Sequence, residues 1–151
     1  TYFPDSEQVE KMLRLKGFFS FKESIENRKE CCAIRKIEPL NRALSELDAW
    51  VTGLRRDQAV TRTETPKVME DADHLPLIKI NPLADYSQEQ LESYIEKHKV
   101  PVNTLHKKNY PSIGCEPCTR AIEPGEDIRA GRWWWENPEH KECGLHRGPS
   151  H

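Results

Sequence analysis

The chain has 151 residues, of which 36% are hydrophobic and 32% charged, so it is more polar than an average globular domain, where about 25% of residues are charged. Its formal net charge of −2 argues against a general attraction to nucleic acid, although local basic clusters can still hold a small anion. No apolar run reaches the length of a membrane span, and five cysteines, an odd count, argue against a secreted disulfide framework. The length alone is that of one domain with one core. The chain opens on Thr1 without a signal-like segment, which is read here as upstream sequence missing.

In chain order, Ser6 to Lys16 sets Val9, Met12, Leu13 and Leu15 among charges, which predicts an amphipathic helix with Ser6 as N-cap and Gly17 as its stop. Phe18, Phe19 and Phe21 follow as an apolar patch. From Cys31 to Leu47 the apolar residues keep helical spacing, but Pro39 cannot sit in a helix interior without a break. The expectation is a short helical turn and then a second helix starting near Pro39.

Ala49 to Gly53 is a short β-prone run, followed by the basic string Leu54-Arg55-Arg56-Asp57-Gln58. Ala59 to His74 reads as a polar loop. Leu75 to Ile80 is a second β-prone run whose internal proline predicts an edge or irregular strand. Ser87 is a suitable N-cap for a helix through about Lys97, with Leu91, Tyr94 and Ile95 as its buried face. Strands separated by helices predict part of an α/β sheet. From Val100 onward prolines, glycines and charges prevail, and residues 136 to 151 read as a mobile tail.

Four of the cysteines fall into two pairs, Cys31-Cys32 and Cys115-Glu116-Pro117-Cys118. A redox CxxC opens a helix in a thioredoxin-like βαβ setting, which is not visible here. A metal centre accounts for both pairs better than buried or unliganded thiols do. Zinc pairs usually leave a few residues between cysteines so that both sulfurs reach one ion. Adjacent cysteines suit a cubane cluster better, because neighbouring sulfurs can bind separate irons; zinc stays open as the second choice. Lys36, four residues after Cys32, is either a charge beside that site or a solvated surface lysine.

Two further features carry chemistry. Arg129 and Arg132 precede Trp133-Trp134-Trp135; their planar forks suit phosphate or sulfate oxygens, or else they stack on the tryptophans or pair with Glu123, Glu126 or Asp127. Cys143 stands in Lys141-Glu142-Cys143-Gly144-Leu145-His146, where Lys141 and His146 favour the reactive thiolate over the thiol. A bland surface cysteine is the alternative.

Glu30-Cys31-Cys32 with Ile34-Arg35-Lys36, WVTGLRRDQ at 50 to 58, VPVNTLHKKNYPSIGCEPCTR at 100 to 120 and GRWWWENPEHKECGLH at 131 to 146 together resemble the thioredoxin-dependent adenylyl-sulfate reductases of bacterial and plant sulfate assimilation, within the phosphoadenylyl-sulfate (PAPS) reductase family. The resemblance implies an α/β fold, specifically the C-terminal part of an adenine nucleotide alpha hydrolase-like (PP-loop) Rossmann-type sheet. It places the reductase part with a cluster-binding segment over residues 1–135 and a catalytic tail over 136–151.

The resemblance further implies a [4Fe–4S] cluster on Cys31, Cys32, Cys115 and Cys118, and Cys143 as nucleophile. Lys36, Arg62, Arg129, Arg132 and His146 would surround the phosphosulfate. Cluster cysteines imply adenylyl sulfate as substrate rather than its 3′-phosphorylated form. The resemblance also implies thioredoxin as a separate partner and a cytoplasmic location, and the charge and the lack of a long apolar run add the expectation of neither nucleic acid nor membrane as partner. Family members carry a Ser-Gly-rich phosphate loop in a preceding nucleotide-binding half, and nothing in residues 1–151 resembles it. The expectation is therefore a truncated or split enzyme. The competing expectation is a non-catalytic iron–sulfur or zinc module that binds an anion or a partner protein.

Overall fold

The computed structural model of the chain describes residues 1–59 and 62–137. These fall into two compact units rather than one core, the first built from residues 1–52 and 68–80 and the second from 53–67 and 81–137.

The first unit begins with α1 (Ser6–Lys16). Its N-cap is Asp5 rather than Ser6: the Asp5 carboxylate accepts the Gln8 amide at 2.8 Å, satisfying one of the orphan donors at the helix start. Gly17 ends the helix at φ 85°, a left-handed angle that glycine adopts without strain. Of the three phenylalanines that follow, only Phe21 is buried, in a 3₁₀ turn over Ser20–Lys22, while Phe18 and Phe19 are exposed.

Helix α2 (Ile25–Cys32) is capped by Ser24, whose hydroxyl accepts the Asn27 amide at 3.1 Å. It starts earlier than the sequence pattern suggests, because Glu26, Asn27 and Lys29 carry no apolar signal. The break expected at Pro39 takes a specific form. A π turn spans Ala33–Ile37, and α3 (Glu38–Leu44) follows directly.

The sheet of this unit is three-stranded and mixed, in the order β1-β3-β2. Strand β1 (Ala49–Val51) pairs parallel with β3 (Ile78–Ile80), and β2 (Val68–Glu70) pairs antiparallel with it. Two expectations are corrected here. Strand β3 is central, not an edge, because Pro76 lies before the strand and removes no ladder donor from it. The stretch taken as a loop contains β2, a three-residue edge strand whose Val68 and Glu70 are exposed and so carry no alternation signal. Trp50, Lys79 and Met69 share one cross-strand row.

The second unit holds α4 (Gln88–His98) and a series of 3₁₀ turns. Ser87 is the N-cap, as expected, and Gln90 completes a capping box with it. The buried face does not form: Tyr94 is exposed, and Leu91 and Ile95 are only half-buried. The core of this unit is instead supplied by Leu54, Ala84, Cys118 and Trp133. Among the described residues no helix is long and apolar enough to cross a membrane.

Candidate functional site

The first cysteine pair closes α2. Cys32 is buried and Cys31 half-buried, and Arg28, one turn before Cys32 on the same helix face, is fully buried. Helix α1 is fastened to α2 by Lys16, whose ammonium donates to Asn27 Oδ1 at 2.9 Å and pairs with Glu30, the residue before Cys31. Lys36 is half-buried within the π turn that begins immediately after Cys32.

The second pair sits in the other unit. Cys115 is the exposed N-cap of a 3₁₀ turn over Glu116–Cys118, and Cys118 is buried. The Cys118 amide donates to Cys115 O at 2.9 Å, which brings the two residues into one tight turn. Thr119 braces it: its hydroxyl donates to Cys115 O at 2.9 Å and accepts the Gly114 amide at 3.0 Å. The turn is anchored on the chain near the tryptophans by an antiparallel bridge between Thr119 and Arg132, with Trp133 N donating to Cys118 O at 3.1 Å and Arg120 N to Gly131 O at 3.0 Å.

Arg132 takes the packed arrangement rather than an open one. Its guanidinium lies 4.6 Å from the centre of the Trp133 ring, donates to Ile113 O at 3.3 Å, and is largely buried. It fills the space beside Gly114, where an added Cβ would meet it at 2.5 Å. Glu126 is occupied by Arg120, which grips it through two bonds at 2.8 and 2.7 Å and is held protonated above its ordinary range mainly by that hydrogen bonding. Arg129 is half-buried, and its amide donates to Asp127 Oδ1 at 2.8 Å.

The basic string of the second unit forms a third feature. Arg55 is buried, bonded through Nη2 to Gln88 Oε1 at 2.6 Å, while its Nε finds no hydrogen-bond partner. Gln58 Oε1 accepts the Arg55 amide at 3.3 Å and Arg62 Nη1 at 2.7 Å, so one carboxamide oxygen joins the turn to the arginine head group. Arg56 and Lys67 both pair with Asp85, and the hydrogen bond from Lys67, followed by the charge of Arg56, holds that carboxyl below the usual range. Gln58, Thr119 and Gly114 are absent from the sequence-derived site. Their only signal was adjacency to residues already singled out.

Lys36 and Cys31-Cys32 thus belong to the first unit, and Arg62, Cys115, Cys118, Arg129 and Arg132 to the second. Cys143 and His146 lie outside the described residues. Among the described residues no group of three or more His, Cys, Asp and Glu side chains is gathered as a metal ligand set. Within each unit, a cysteine pair held on one tight helical segment suits thiolate ligation in donor chemistry.

The phosphoadenosine phosphosulfate reductase domain matches residues 1–121, and the chain belongs to that family. It is 54% identical to an adenosine 5′-phosphosulfate reductase of Burkholderia cepacia over 96% of this chain and 58% of the relative. The protein of the same name from Allochromatium vinosum is 55% identical over 97% and 57%, and that of Rhizobium tropici 52% identical over 96% and 80%. The chain thus spans a little over half the length of the first two. Among solved structures, the phosphoadenylyl-sulfate reductase of Candida auris, a phosphate complex, aligns with a TM-score of 0.59 at 30% identity, covering 77% of this chain and 54% of that one. The α/β fold with a small mixed sheet is similar to that enzyme's.

Proposed function

We propose that this chain is the part of an adenylyl-sulfate reductase that carries the iron–sulfur site and the nucleophile, reducing adenylyl sulfate to sulfite and AMP. The observation that carries the reading is the pair of cysteine turns: each of the two units holds two cysteines on one tight helical segment, in a chain more than half identical to proteins named for that reaction. Cys31, Cys32, Cys115 and Cys118 would hold a [4Fe–4S] cluster. Bound there, it would act structurally and electrostatically rather than as a net source of electrons.

In the proposed reaction the Cys143 thiolate attacks the sulfur of the sulfuryl group, and the bond from that sulfur to the phosphate oxygen breaks. AMP leaves with the electron pair, and the sulfuryl group stays on Cys143 as S-sulfocysteine. One thiolate of a thioredoxin then attacks Cys143 Sγ and expels sulfite, and its second thiol resolves the mixed disulfide, so thioredoxin supplies both electrons. Lys36, Arg62, Arg129, Arg132 and His146 are assigned to neutralising the phosphosulfate, whose charge otherwise repels the attacking thiolate. For Arg132 the support is the resemblance alone, since its packing on Trp133 also accounts for its burial.

The test has two arms. Prepared without oxygen, the chain should hold about four irons, with iron lost from each of the four cysteine variants; stoichiometric zinc without iron favours the non-catalytic module. A polypeptide of the relatives' full length carrying these residues should gain the mass of one SO₃ group on Cys143 when mixed with adenylyl sulfate before thioredoxin is added. In Cys143→Ser no adduct should form although iron is retained, because a hydroxyl lacks the required thiolate. An adduct mapping to any other cysteine would remove Cys143 from this role.

A further inference from the structure

A helix of i→i+4 bonds cannot run unchanged into a proline, because the ring meets the carbonyl four residues back and offers it no N–H. Pro39 stands at the start of α3 and is buried. The turn before it resolves the conflict by taking in one more residue: the Glu38 amide reaches back to Ala33 O, a five-residue span, and Ala33–Ile37 is a π turn. Such turns occur mostly as single turns inside α-helices and are frequent at functional sites.

The position of this one gives it a consequence. It begins directly after Cys32 and contains Lys36. In an unbroken α-helix Lys36 would advance past Cys32 on the side away from Cys31. An extra residue in the turn winds the chain back by part of a step, so Lys36 falls nearer the seam between the two cysteines. Lys36, Cys31 and Cys32 are all at least half-buried, whereas Arg35 beside Lys36 is exposed.

We propose that Pro39 is a positioning residue for the vicinal cysteines: by forcing the π turn it aims the Lys36 ammonium at the seam between Cys31 and Cys32, where the thiolates concentrate negative charge. This rests on the reading of those cysteines as cluster ligands. Pro39 touches neither iron nor substrate and acts only through the path of the helix.

The experiment compares the 151-residue chain, reconstituted with iron and sulfide without oxygen, with its Lys36→Ala, Pro39→Ala and double variants. Lys36→Ala should lower the midpoint potential, because a positive charge is removed, and should speed iron loss to a chelator by about 10-fold. Pro39→Ala should reproduce both effects while its melting temperature stays the same or rises, since alanine restores the N–H and favours helix. The double variant should exceed neither single one. Pro39→Gly, which restores the N–H without alanine's helix propensity, should behave like Pro39→Ala, and in iron-free protein both should show α-helical backbone chemical shifts over residues 33 to 38. A π turn that survives both substitutions overturns the inference. So does a Lys36→Ala shift of full size in the Pro39→Ala background, or a Pro39→Ala chain with wild-type potential and iron retention. A wild-type chain that takes up no iron overturns the cluster reading itself, and this inference with it.

Discussion

The indole nitrogen of Trp50 donates to Asp71 Oδ2 at 2.9 Å, joining strand β1 to the residue that follows β2 on the far side of the central strand. Between them Lys79 of β3 is buried, its ammonium 5.1 Å from the centre of the Trp50 ring. His74 Nδ1 lies 3.1 Å from Asp71 Oδ2, and its Nε2 lies 2.9 Å from Asn41 Oδ1 on α3. One carboxylate therefore ties three strands and a helix together.

Burial pushes the Asp71 carboxyl up, but the hydrogen bonds from His74 and Trp50, the charge of Lys79 and the Asp73 amide outweigh it and hold it below the usual carboxylate range. A carboxyl whose folded value is depressed contributes stability above its unfolded value, and that contribution is lost as pH falls through the folded value. Asp71→Asn should lower stability at neutral pH by about 1–3 kcal/mol, shifting the melting temperature by roughly 2–4 °C for each kcal/mol. The difference from wild type should shrink as pH falls below the carboxylate range. Thermal melts across pH 2–7, taken as an approximate window around that range, check this. A gap independent of pH would mean that the ionised carboxylate contributes nothing.

Glycines 131 and 114 flank the CxxC turn and should differ in tolerance. A Cβ on Gly131 would meet the Arg120 carbonyl oxygen at 2.3 Å, and backbone cannot swing aside. On Gly114 it would meet only the Arg132 guanidinium, the end of a flexible side chain. Gly131→Ala should cost about 1–3 kcal/mol as overpacking does, and Gly114→Ala less, the guanidinium moving off Trp133. Melting curves and the near-ultraviolet signal of the tryptophans distinguish the two; equal losses would show that Arg132 is as immovable as the backbone.

Gln58 should act through Arg62. If Arg62 binds the phosphosulfate, Gln58→Ala in the full-length polypeptide removes one bond that holds its head group and should weaken adenylyl sulfate binding by about 1 kcal/mol, or roughly five-fold. Gln58→Glu, which keeps the acceptor oxygen but adds a negative charge that competes with the anion for Arg62, should weaken binding further. Titration calorimetry of both variants decides this: unchanged affinity in either variant would refute the positioning role.

What the sequence determined by itself was local. Ser87 announced the start of α4 because a cap acts within one turn, Gly17 announced the end of α1, and Pro39 announced a break because its ring acts on the adjacent residues. The cysteine pairs were equally legible, being defined by spacing alone. Tertiary structure decided the rest. Strand β3 is central only because β1 and β2 reach it from distant parts of the chain, so neither the burial of Lys79 nor the Trp50–Asp71 bond across it could be read from the run around Pro76. Arg132 had two readings in the sequence, an oxyanion ligand or a partner for tryptophan. The bridge to Thr119 and the space beside Gly114 set its guanidinium on Trp133, because which surface a flexible cation meets depends on where the chain returns rather than on its neighbours in sequence.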